Sequence, residues 1–146
     1  MTPDTALKLA IYAFTADHAR VPTVADLAPR LGLAAAEVKA GYQRLFADRV
    51  LVLDADGETI RMAPPFSGIA TQHVVFTSGK RFFANCAWDS FGILAALHAE
   101  GEVRTRCEKT REPISIRVTK DGPQPAECVA HFAVPAARWW QDIVFT

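Results

Sequence analysis

Apolar residues recur at helical spacing three times in the first third of the chain. Leu7, Ala10, Ile11 and Phe14 follow an i, i+3, i+4, i+7 pattern and predict a helix over 3–16, capped by Thr2 with Pro3 at its first position. Val24, Leu27, Ala28 and Leu31 form a second stripe behind Thr23. Asp26, three residues on, forms an imperfect capping box, and Gly32 stops the helix. Pro29 lies past the first turn and is expected to kink or shorten it. A third helix is predicted over 35–47, with Val38, Tyr42, Leu45 and Phe46 inward. The period then changes. Two short strands, 50–53 and 59–62, flank Asp54-Ala55-Asp56-Gly57, a hairpin turn signal.

No periodicity crosses Ala63-Pro64-Pro65-Phe66-Ser67-Gly68, where two prolines hold the backbone extended. The expected division is therefore a helical part, 1–64, and a second part, 65–146. In the second part, strands are predicted at 73–76 and 81–84 around Ser78-Gly79-Lys80. The Ala- and Leu-rich stretch 85–98 predicts a largely buried helix, ended by Gly101. Strands 103–107 and 114–118 follow around a polar turn, 108–112. Ile114, Ile116 and Val118 alternate with Ser115 and Arg117, so one face is buried. After a turn at Lys120-Asp121-Gly122-Pro123, a further strand is expected over 128–134, and Trp139-Trp140 opens the last element. The fold class is α+β: a winged-helix-like three-helix segment, then a small mixed β-sheet domain around a central helix.

The composition is that of a globular protein: of 146 residues, 50% are hydrophobic and 22% charged. Charge changes the picture more. The segment 24–33 resembles the helix-turn-helix entry of many bacterial regulators, which would make 35–47 a recognition helix. Yet sixteen Lys and Arg balance sixteen Asp and Glu, evenly along the chain. Asp54, Asp56 and Glu58 place three acids on the hairpin, where phosphates would be repelled. Packing rather than nucleic-acid binding is the expected role of this part. There is no basic n-region, and no apolar run reaches the ~18 residues of a membrane span. A cytoplasmic protein with free thiols and no membrane contact is expected.

The three cysteines, Cys86, Cys107 and Cys128, lack the CxxC spacing of a zinc ribbon. Cys86 and Asp89 stand at i and i+3 at the start of the predicted central helix and can face the same way. A helix N-terminus favours a thiolate, while Phe82, Phe83, Trp88 and Phe91 make the surroundings apolar and disfavour an ionised carboxylate. A soft thiolate beside a carboxylic acid suits proton delivery at a soft metal. A buried cysteine with a helix-capping aspartate is the alternative reading of the same residues. His18, His73, His98 and His131 read as core or surface histidines. Arg104, Arg106, Lys109 and Arg111 read as a solvated face, and Trp139-Trp140 as core or lid.

The stretch Arg81-Phe-Phe-Ala-Asn-Cys-Ala-Trp-Asp-Ser-Phe-Gly-Ile93 resembles the active-site segment of the organomercurial (alkylmercury) lyases. The likeness rests on Cys-Ala-x-Asp after an aromatic strand, on Cys107 with a turn holding Thr110 and Pro113, and on a winged-helix-like segment before a proline join. The resemblance implies that Cys86 binds the mercury of R–Hg⁺ and that Asp89 moves a proton onto the carbon. Both residues then contact the metal, which is substrate rather than cofactor. The products are a hydrocarbon and Hg(II), and no cofactor is needed. The implied partners are a small organomercurial, cellular thiols and a mercuric-ion acceptor protein. The family's second catalytic cysteine is expected after the segment corresponding to Trp139–Phe145, and these 146 residues hold no cysteine there. Cys107 is expected to be a buried structural thiol, and Cys128 matches no catalytic position. The competing readings are a non-catalytic soft-metal binder, either chaperone or sensor, and a metal-responsive transcription regulator.

Overall fold

A computed structural model describes residues 1–144 of the chain. Three helices open it: α1 (Pro3–His18), α2 (Val24–Leu31) and α3 (Ala35–Ala47). The predicted caps are in place. Thr2 accepts from Thr5 N–H, and Thr23 and Asp26 cap each other's backbone reciprocally, completing the box. Pro29 sits inside α2, which ends at Leu31 before Gly32 in the left-handed region (φ 65°). Leu7, Ile11, Phe14, Leu27, Val38, Tyr42 and Leu45 form the helical core. Phe46, expected inward, is 43% exposed, because the buried face of α3 runs through Val38, Gly41, Tyr42 and Leu45. Gly41 is needed there: a Cβ would collide with the Leu7 side chain.

Strands β1 (Val52–Leu53), β2 (Ile60–Ala63) and β3 (Phe66–Ser67) make a three-stranded antiparallel sheet in that order. The proline join is thus a tight hairpin, with Ala63 opposite Phe66. Phe66 also bridges to Ala84. Its ring lies 5.6 Å from that of Phe82 and 6.3 Å from that of Tyr12. Tyr12 packs partly against both apolar cores, and its hydroxyl donates to the Pro64 carbonyl at 2.9 Å.

The second sheet has β4 (Val74–Thr77), β5 (Lys80–Phe83), β6 (Gly101–Arg106), β7 (Pro113–Thr119) and β8 (Gly122–Gln124), ordered β5-β4-β6-β7-β8. The class is α+β as expected, but the sheet predicted as mixed is antiparallel in every pairing. The chain leaves β5, crosses through helix α4 (Ala87–Ala96) and returns as β6. β5 and β6 share a direction but never pair, because β4 lies between them. Ile93 and Leu94 of α4 meet Val75, Phe82, Val103 and Ile116 in the second core. Gly101 opens β6 rather than ending α4. A Cβ there would stand 2.5 Å from the Phe76 carbonyl and 2.7 Å from Leu94.

The strand expected over 128–134 is absent: residues 125–134 have no regular structure, and a 3₁₀ turn follows at Ala136–Gln141. Pro123 and Pro125 offer no backbone N–H to a ladder. A short apolar run cannot by itself distinguish a strand from a segment lying against a wall. The end of the apolar run at Phe145 and Thr146 lies outside the described residues.

Candidate active site

Cys86 is the N-cap of α4. Its extended backbone (φ −147°, ψ 176°) turns the chain out of the β5 segment, and its Sγ accepts from the Asp89 backbone N–H at 3.4 Å. Ser90 completes the first turn by donating both its N–H and its hydroxyl to the Cys86 carbonyl. The i, i+3 placement read from the sequence therefore holds, and Asp89 sits in the first turn, where the helix dipole favours a negative charge.

Burial works against both charges. It pushes the Cys86 thiol above its ordinary value, outweighing the N–H of Asp89, and the Asp89 charge pushes the same way. This corrects the expectation of a thiol depressed by the helix terminus: the backbone N–H groups of Asp89 and Trp88 do not repay removal from water. Burial also raises Asp89, opposed by a hydrogen bond from Asn85. Asn85 Nδ2 lies 3.0 Å from Asp89 Oδ2 and 3.3 Å from both the Pro65 and Phe66 carbonyls, tying the carboxyl to the hairpin. Its Oδ1 is buried without a partner.

Cys86 and Asp89 line a cavity of about 820 Å³. Tyr12 of α1 closes one side, its phenol raised by burial and by the charge of Asp89. Ala130–Val134 and Trp139 close another. His73 and His131, read as bland histidines, also line it. His73 bonds Thr105 through Nδ1 at 2.7 Å, and burial lowers its pKa. Asn85 and Tyr12 were not singled out in the sequence. Asn85 carried one usable signal, a lone amide at the end of an aromatic strand. Tyr12 carried none, since it lies beside the apolar stripe and not on it. Trp88, expected to make the surroundings of the pair apolar, lines the cavity wall and is 58% exposed.

The other cysteines lie apart from this cavity. Cys107 is half-buried in the turn after β6, not in the core as expected, because the strand ends at Arg106. The Thr110 hydroxyl holds its pKa down. Cys128 is exposed. A shallower depression of about 950 Å³ over β4–β7 contains no thiol. No cluster of three or more His, Cys, Asp or Glu able to hold a metal occurs among the described residues. No helix among them is long and apolar enough to cross a membrane.

No curated protein sequence matches the chain. The fold is similar to the crystal structure of the mercury-bound form of MerB2. That likeness has a TM-score of 0.66 and 24% identity, over 84% of this chain and 59% of that one. The chain thus spans somewhat under two thirds of the solved structure's length. The alkylmercury lyase family, MerB, matches residues 66–146, the stretch that carries β3 to the C-terminal segment and with it Cys86, Asp89 and the cavity wall. On that match over more than half its length, the chain belongs to the alkylmercury lyase family.

Proposed function

We propose that the protein cleaves carbon–mercury bonds by protonolysis, with Cys86 as mercury ligand and nucleophile and Asp89 as the proton-transfer group. One observation carries the reading: a thiol and a carboxyl share the first turn of α4 on the wall of a cavity lined with aromatic residues. Sulfur is the donor that Hg(II) prefers, and thiolate donation weakens the bond to carbon on the opposite side of the metal. The Hg–C electron pair then takes a proton at carbon and leaves as R–H. Mercury stays on sulfur as Hg(II), so R–Hg⁺ and H⁺ become R–H and Hg(II) with no change of oxidation state. The proton originates on the Cys86 thiol, whose ionisation burial disfavours, and passes through Asp89. Asn85 orients that carboxyl. Cellular thiols or a mercuric-ion acceptor protein remove the product.

A non-catalytic soft-metal binder is the second reading. It draws on the fact that Cys86 is the one thiol among the described residues lining the cavity. Hydrocarbon released from a simple organomercurial in excess thiol separates the two. Release that depends on Cys86 is the expected result; stoichiometric mercury uptake without hydrocarbon would leave only the binder.

A further inference from the structure

The aromatic side of the cavity is larger than the chemistry at Cys86 requires. Trp88 is fixed by its position two residues after the thiol, yet its side chain is 58% exposed. Its ring meets Phe132 edge-on, at 6.3 Å between centroids and 70° between planes. Phe132 in turn lies 5.2 Å from Trp139, tilted by 39°. Trp139 is anchored by its indole N–H, which donates to the Val134 carbonyl at 2.8 Å. Three aromatic side chains thus form a continuous row beginning beside the thiol, although the segment carrying two of them has no strand pairing. Apart from Asp89, the charged residues of the cavity, Lys8, Arg49 and Glu108, come from other parts of the chain.

A pocket of ~150 Å³ holds a benzene ring, so about 820 Å³ leaves most of the space unfilled around a methyl group on mercury. An aryl group on mercury bound to Cys86 projects away from sulfur, because two-coordinate mercury is linear. Trp88 lines the same cavity as Cys86, and aromatic rings favour tilted and edge-to-face contacts.

We propose that Trp88, with Phe132 and Trp139 behind it, is the recognition surface for the organic group of the substrate, and that the class it selects is arylmercury over short alkylmercury. This inference rests on the carbon–mercury reading above, and the experiment keeps the two apart. Phenylmercury and methylmercury are each titrated onto the full chain carrying Asp89→Asn against a competing small thiol, alone and combined with Trp88→Ala or Trp88→Phe. Hydrocarbon release is measured separately with Asp89 intact. The phenyl-to-methyl retention ratio should fall about tenfold with Trp88→Ala, the size of a lost aromatic contact plus ring burial, and be largely kept with Trp88→Phe. A ratio unchanged within twofold across all three chains overturns the proposal. A Trp88-dependent ratio without hydrocarbon release sinks the lyase reading and leaves the recognition surface standing. Failure to retain either compound refutes both.

Discussion

At the scale of single residues, the roles proposed for Cys86 and Asp89 rest on one helical turn and on different physics. Thiol softness dominates Hg(II) affinity, and Cys86 alone among the three cysteines lines the cavity. Cys86→Ala should abolish Hg(II) retention in competition with a small thiol, and Cys128→Ala should barely change it. Equal losses would show that the site is misplaced. Asp89→Asn tests the proton. Asn caps a helix about as well as Asp, so a capping role predicts almost no effect. A proton-transfer role predicts a ~10²–10⁴-fold drop in hydrocarbon release with mercury still held at Cys86. Undiminished release would remove Asp89 from the chemistry. The placement of these two residues was legible in the sequence because i and i+3 on a helix share a face whatever the tertiary fold, while the roles proposed for them came from the family resemblance. The direction of the Cys86 pKa was not legible, since it depends on burial in the tertiary fold. Asn85 acquires its meaning only when the Pro65 and Phe66 carbonyls arrive beside it.

Among the elements, α2 is the shortest helix and depends most visibly on its cap. Thr23 and Asp26 satisfy each other's backbone, and Arg20 grips the Asp26 carboxylate through two bonds of 2.8 and 2.9 Å. Thr23→Ala should cost about 1 kcal/mol in denaturant unfolding. The Arg20 guanidinium, followed by the Thr23 N–H, holds Asp26 well below the usual carboxylate range. A depressed acid stabilises the fold fully above its unfolded pKa of ~3.9 and loses that contribution as pH falls through the folded value. The difference in Tm between the native chain and Asp26→Asn should therefore be present at neutral pH and shrink steadily below about pH 4. A constant gap would place the effect elsewhere. Caps of this kind are local and were readable along the chain. The 128–134 segment was not, because Ala130, Phe132, Ala133 and Val134 line a cavity that other elements create. Strand direction in the second sheet was equally hidden, since it follows from where the chain re-enters after α4.

For the molecule as a whole, charge and connection decide different questions. Lys39 of α3, a residue that could face phosphate, is paired with Glu58 of the hairpin at 2.6 Å, and Gln43 donates to the Gly57 carbonyl. With no net charge and these groups occupied, the protein should give no salt-sensitive, competitor-resistant shift of duplex DNA at low salt. Such a shift would return the helical part to the regulator reading. The neutral balance was plain from composition. The way the proline join is built was not, because turn signals do not reveal that Phe66 would pair with Ala63 in the first sheet and also bridge to Ala84, next to the end of β5. That shared residue has a thermodynamic consequence. Phe66 pairs in the first sheet and packs in the core of the second, so disorder in either removes contacts from the other, and the Tyr12 hydroxyl adds a second tie at Pro64. Calorimetry should show a single cooperative transition with matching van't Hoff and calorimetric enthalpies. Tyr12→Phe should lower that one midpoint without splitting it. Mercury seated on Cys86 should raise it for the entire chain, so that the helices report, as heat, on a ligand held in the opposite half.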